Sequence, residues 1–397
     1  MSSAIRCVPG LKSGSNQSYD AFGVDKANEV SAFHRSIPGY APTEMVSLSA
    51  LARELGVEAL YVKDESSRFG LNAFKSLGSS YCVASLISEK LGMPTRYESV
   101  VSAEAKENVQ GMTLITATDG NHGRGVAWTA KLLGLKSVVL MPKGTALERL
   151  QNIQKLGADA SITDLVYDDT VKLAAKMAEE NNWLLVQDTA WDGYEDIPLR
   201  IMQGYLTMAL EAVEALPKAP THLFLQAGVG SMAAAVAAFF VEYYGKDCPK
   251  VIVVEPEGAN CFYETARAAD GGIHPYVGDM HSIMAGLCCG VPSKSAWSIL
   301  KETADFYVSM PDYVAADGMR ILGAPLPGDH RVVSGESGAS TFGLTADLLR
   351  DKRYQTVKEM LGLNEASRVL CISTEGATDR ENYRRIVWDG AWSTCSD

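Results

Sequence analysis

The chain has 397 residues, 47% hydrophobic and 21% charged, with a net charge of −12. It is long enough for two domains with a core each. Its acidity argues against a nucleic-acid backbone or an anionic membrane as the main partner, so any anionic ligand must be held by local dipoles.

The first thirty or so residues read as an arm rather than a core element. Beyond them, strand-like and helix-like runs alternate: strand 59–63, helix 77–91, strand 113–117, helix 123–133, strand 137–141, helix 146–156 and strand 160–163. Helix 169–181, strand 184–187, helix 203–216, strand 222–226, helix 231–244 and strands 251–255 and 369–373 complete the series. This rhythm predicts an α/β fold with mostly parallel twisted sheets flanked by helices. Residues 92–111 start Gly-Met-Pro, are polar, and read as an insertion that is either a lid or loosely ordered. Residues 271–292 are a second irregular stretch, rich in glycine and holding His274, His281, Cys288 and Cys289.

The most apolar run, 232–241, is too short to span a bilayer, and residues 1–14 lack the apolar stretch of a signal peptide. A cytoplasmic protein is therefore expected. The eight cysteines (7, 82, 248, 261, 288, 289, 371 and 395) show no Cys-x-x-Cys spacing, so no metal site is expected. A pairing of Cys261 with Cys288 or Cys289 stays open. His34, His222, His274, His281 and His330 read as satisfied polar residues rather than ligands.

Three segments carry chemistry. In Leu225-Gln226-Ala227-Gly228-Val229-Gly230-Ser231-Met232-Ala233 a strand runs through two glycines into a long helix, converging amide N–H groups and the helix dipole on one spot. That suits a phosphate. It equally fits a dinucleotide fold, with Glu255 at the end of the next strand as the ribose-binding acid.

Lys75 separates the two readings. A lone lysine is ordinarily a solvated surface residue. This one follows Phe74 in an apolar turn that would desolvate its ammonium, lower its pKa and make it a nucleophile near neutral pH. A nicotinamide enzyme has no need of that.

The third segment is the loop Thr118-Asp119-Gly120-Asn121-His122-Gly123. A tight turn with a Thr or Asp cap explains its glycines and one polar residue. It does not explain why Asp119, Asn121 and His122 crowd the same turn. Backbone amides here could grip a substrate carboxylate, and Asn121 could reach a ring hydroxyl.

With these segments the chain resembles the fold type II pyridoxal phosphate (PLP) enzymes, the group of threonine dehydratase, serine racemase and the tryptophan synthase β subunit. The lysine segment, the Gly-Asn-His-Gly loop, the glycine phosphate loop and Ser373-Thr374-Glu375-Gly376 follow the order of that group over residues 61–376. More narrowly, it is similar to the diaminopropionate ammonia-lyases. That likeness rests on Lys63-Asp64-Glu65-Ser66, Arg68-Phe69-Gly70-Leu71-Asn72-Ala73-Phe74-Lys75, the loop from Thr118 through Trp128, Val186-Gln187-Asp188-Thr189-Ala190-Trp191 and Ser334-Gly335-Glu336-Ser337-Gly338-Ala339.

The resemblance implies two domains, a large PLP-binding one of residues 1–80 plus 190–397 and a smaller inserted one of residues 81–189. It implies a homodimer acting on a small amino-acid substrate, with PLP as cofactor. Lys75 would be the Schiff-base lysine, and Asn121 would meet the ring hydroxyl. Gly228, Val229, Gly230, Ser231 and Met232 would hold the phosphate, and Ser373, or its competitor Thr374, would meet the pyridine nitrogen. Thr118, Asp119, Asn121 and His122 would bind substrate.

One departure matters: threonine dehydratase and serine racemase place serine where this chain has Asp119. In the group the lysine and this residue approach opposite faces of the cofactor. Asp119, its pKa raised by burial and nearby anions, would take the α-proton from the enantiomer that Lys75 cannot reach. Asp188 adds a second carboxylate to orient a β-ammonium and manage its proton; otherwise it is a strand-end turn residue. The expected reaction is elimination from D- and L-2,3-diaminopropionate to pyruvate and two ammonia, by Lys75, Asp119 and Asp188. The alternatives are a threonine or serine dehydratase, a dinucleotide-binding oxidoreductase, and a binding protein without turnover.

Overall fold

The computed structural model describes residues 4–14, 17–118 and 120–393; Asp119 lies outside the described residues. Eleven strands form two sheets: β1 Arg6–Pro9, β2 Glu44–Ser47, β3 Ala59–Asp64, β4 Thr113–Ala117, β5 Lys136–Met141, β6 Asp159–Ile162, β7 Leu184–Leu185, β8 His222–Gln226, β9 Lys250–Pro256, β10 Phe306–Met310 and β11 Arg368–Ser373. The larger sheet runs β1-β10-β9-β8-β11-β3-β2 and the smaller β6-β5-β4-β7. All pairings are parallel except those of the two edge strands of the large sheet, β1 on β10 and β2 on β3.

The central strands are nearly continuous apolar runs because both of their faces are covered. Leu223, Leu225, Val251 and Val253 enter one core, while the alternate residues Phe224, Ile252 and Val254 enter the core on the opposite face. In the small sheet, Val139 and Met141 face one cluster and Leu140 the other.

Three expectations need correction. The N-terminal segment is not only an arm: β1 pairs along an edge, and the helix Val24–Ser36 buries Ala27, Val30 and Phe33 at i, i+3 and i+6 spacing in the main core. Residues 92–111 hold two short helices, Tyr97–Val100 and Ala103–Asn108. The second is capped by the Ser102 hydroxyl, and Val100, Ala105 and Val109 are buried, so the stretch is packed. Cys261, Cys288 and Cys289 form no disulfide, so the pairing left open is not made. Strands β2 and β10 were also unforeseen. Among the described residues no helix is long and apolar enough to cross a membrane.

In the large sheet β11 lies between β8 and β3, all three parallel. Their C-terminal ends therefore meet at one edge, where an open α/β sheet presents its ligand site. Below that edge a buried ionic network anchors the chain entering the lysine turn. Lys63 Nζ lies 2.6 Å from Glu211 Oε2, and Arg68 contacts both Glu65 and Glu211 at 2.8 Å. Each of these charges has a partner, as a buried ion requires.

Candidate active site

The site is a cavity between the sheets, lined by Lys75, Asn121, His122, Asp188, Gly228 through Met232, Thr374 and Glu375. It gathers segments from β3, β4, β7, β8 and β11.

Lys75 stands at the entry to the buried helix Ser76–Leu91. A Cβ added at Gly125 would lie 3.0 Å from the Lys75 carbonyl carbon, so the helix Asn121–Leu133 rests directly on the lysine's backbone. The Lys75 ammonium lies over the Phe74 ring, 5.7 Å from its centroid, and 2.5 Å from Asp188 Oδ2. The expected apolar setting is thus only half of its environment: a carboxylate faces it.

Burial alone would raise the Asp188 carboxyl. His122 and the Lys75 ammonium outweigh that and hold it down at about 2. His122 Nε2 lies 2.7 Å from the Val186 carbonyl oxygen, which makes that nitrogen the proton carrier and leaves Nδ1 3.7 Å from Asp188 Oδ2. A carboxylate so placed orients the ammonium beside it.

Thr118 lines the same cavity. Its amide N–H is taken by the Leu140 carbonyl at 3.0 Å, and its hydroxyl oxygen accepts from the Gly120 and Gly123 amides. It shapes the loop and has no amide donor left for a substrate carboxylate. Asn121 donates from Nδ2 to Glu375 Oε2 at 2.5 Å.

The phosphate loop is built as its glycines require. Gly230 has φ +90°, and a Cβ there would come within 2.2 Å of the Phe262 ring. No side chain caps the following helix, Ser231–Tyr244, so its first amides remain for an anion. The Ser231 hydroxyl is committed to the Asp188 carbonyl oxygen at 2.5 Å. Of the two candidates for the pyridine nitrogen, Thr374 lines the cavity. The Ser373 hydroxyl instead donates to Ser334 Oγ at 2.8 Å.

Glu255 closes the dinucleotide reading. Its carboxyl is fully buried, pushed up to about 8 by burial, and accepts from the Phe262 and Tyr263 amides at 2.8 and 2.7 Å. Both of its oxygens are taken by the first turn of the helix Cys261–Ala268.

Sequence reasoning missed Gln226, Tyr167, Ser337, Glu375 and the run Ala285–Cys289, all of which line the cavity. The glycine-rich irregularity of 271–292 was the one signal for the last of these.

A family model described as pyridoxal-phosphate dependent enzyme matches residues 37–365. The chain belongs to this family. Among its relatives, the diaminopropionate ammonia-lyase of Salmonella typhimurium strain LT2 is 48% identical over 96% of both chains, and that of Escherichia coli strain K12 is 47% identical over 93% of both. The crystal structure of the Escherichia coli enzyme with an aminoacrylate-PLP azomethine reaction intermediate superposes with a TM-score of 0.91 at 44% identity, covering 98% of each chain. Threonine deaminase isoform 2 of Solanum lycopersicum, 17% identical with a TM-score of 0.74 over 96% of each chain, shares the fold.

The expectation of a fold type II PLP enzyme akin to the diaminopropionate ammonia-lyases holds, and PLP is the cofactor. The residues present fit it. An uncapped helix N-terminus for a phosphate and a lysine amine open onto the same cavity.

Proposed function

We propose that this protein is an ammonia-lyase that converts D- and L-2,3-diaminopropionate to pyruvate and two ammonia. The observation that carries the reading is the Lys75–Asp188 pair, 2.5 Å apart with His122 Nδ1 at 3.7 Å, in the cavity that also receives the phosphate loop. The 48% identity to a diaminopropionate ammonia-lyase supports the substrate.

Bound through Lys75, PLP supplies an electron sink for the charge left at the substrate's α-carbon. The amides from Gly228 to Met232 would hold its phosphate, Thr374 its pyridine nitrogen and Asn121 its ring hydroxyl. Lys75 Nζ exchanges the α-proton of the L-isomer, and Asp119 that of the D-isomer. Asp188 holds whichever ammonium stands beside it, that of Lys75 or the β-ammonium of the substrate. Asn121 and His122 flank the substrate carboxylate at the start of their helix, where the dipole favours an anion.

The deciding assay measures pyruvate and ammonia together on both diaminopropionate enantiomers, serine and threonine. Two ammonia per pyruvate from both enantiomers is the expected result. Faster turnover of serine or threonine, with one ammonia per keto acid, would replace the proposal by a dehydratase.

We propose further that residues 1–80 with 190–397 form the cofactor domain and 81–189 an inserted domain, and that the enzyme is a cytoplasmic homodimer. The seven free cysteines among the described residues suit a reducing compartment. Sedimentation of the purified protein tests the dimer.

A further inference from the structure

Glu375 is 1% exposed and sits where the lysine turn, the Asn121 loop and the N-terminus of the helix Glu336–Arg350 meet. Its peptide is stitched to the lysine turn: it bridges Ala73, Phe74 N donates to Thr374 O at 3.2 Å, and Gly376 N donates to Asn72 O at 3.0 Å. Its carboxylate is filled with donors. Oε1 accepts from the Ser337 amide at 3.2 Å, and Oε2 accepts from Thr378 Oγ1 at 3.2 Å and from Asn121 Nδ2 at 2.5 Å.

Asn121 is the donor that comes from the small-sheet side. An asparagine amide is nearly symmetric in shape, and on its own little decides which way it points. A carboxylate accepts only, so it holds the Nδ2 end toward itself and fixes which atoms are left for the cavity. Glutamine at 375 would impose no such choice, because it offers both an N–H and a carbonyl oxygen.

We infer that Glu375 is a positioning residue that locks the Asn121 amide in one orientation, and that through Asn121 it sets the protonation of the bound cofactor's ring hydroxyl. This rests on the reading above that Asn121 faces that hydroxyl. Among the described residues, Lys75 and Asp188 line the cavity with the pair, while Glu336 feels both Glu375 and Arg149. Glu336, 2% exposed and held by Asn382 Nδ2 at 2.5 Å, is pushed up to about 7 by burial and then by Glu375, with Arg149 opposing.

The test compares wild type, Glu375→Gln, Asn121→Ala and the double variant as PLP-loaded proteins. The readouts are the visible absorption spectrum titrated against pH, the dissociation constant for PLP, and Tm as a check on folding. Asn121→Ala and Glu375→Gln should each move the spectral midpoint by about one unit or more, the scale of one lost hydrogen bond to an ionised group. The double variant should match Asn121→Ala alone.

If Asn121→Ala moves the midpoint and Glu375→Gln does not, or if the two shifts add, the inference is overturned while the reading of Asn121 stands. If Asn121→Ala leaves the midpoint unmoved, that reading falls and the inference with it. Should Glu375→Gln not fold, Glu375→Asp, which withdraws the carboxylate by one methylene, carries the same comparison with the same expected shift.

Discussion

The Ser231 hydroxyl donates a 2.5 Å hydrogen bond to the backbone oxygen of Asp188, 43 residues earlier in the chain. The residue that opens the phosphate-loop helix is thereby tied to the acid that faces Lys75. The glycine loop and the carboxylate partner of Lys75 are mechanically one unit.

Lys75→Ala should abolish turnover and remove the borohydride-reducible visible band of the holoenzyme. A variant that keeps the band would show that another amine carries the cofactor.

Asp188→Asn removes the carboxylate from Lys75. A lost hydrogen bond to a charged group corresponds to a fall in kcat/KM on the order of 10- to 100-fold. The same variant changes acid stability. In the cofactor-free protein, where Lys75 keeps its ammonium, the Asp188 carboxyl is held down at about 2, below its ordinary 3.8, so its contribution is complete above about 4 and is lost as pH falls through about 2. That contribution is about 2 kcal/mol by linkage. Glu211, also held at about 2, titrates in the same window and should keep part of the acid limb in the variant. Tm followed from pH 5 to pH 2, as round limits for this titration, checks the difference.

Gly230→Ala places a methyl in the Phe262 ring at a left-handed backbone position. Strain of this kind should weaken PLP binding by roughly 10-fold or more. Equilibrium dialysis of the apoprotein against PLP measures it, and unchanged affinity would mean that the loop does not cradle the phosphate.

Glu211→Ala strands the Lys63 ammonium in the core beneath the lysine turn and leaves Arg68 with Glu65 alone. Breaking a buried pair in this way costs about 3–5 kcal/mol. Denaturant unfolding should show the loss as a lower midpoint.

Asp119→Asn should damage turnover of D-diaminopropionate far more than that of the L-isomer. Equal losses on both would end the division of labour between two faces.

Much of this was legible in the chain. Strand β4 appears in the sequence at the bounds it has in the structure, because five apolar or β-branched residues between a glycine turn and a polar loop have few other uses. The Gly228–Met232 loop was legible for the same reason: contiguous residues set both its backbone shape and its free amides. Edge strands β1 and β2 were not, since four residues with one polar-facing side carry almost no periodic signal.

Lys75, the phosphate loop and the α/β rhythm, and with them the cofactor, were therefore determined by the sequence alone, through interactions between residues near one another in the chain. Only the tertiary structure decided that Glu255 is taken by the first turn of a helix, that Thr118 has no amide left for a ligand, that Asp188 faces Lys75, and that Glu375 meets Asn121 across 254 residues. The reason is physical. A buried polar group takes whichever partner the packed sheets bring within reach, and that partner can lie anywhere in the sequence.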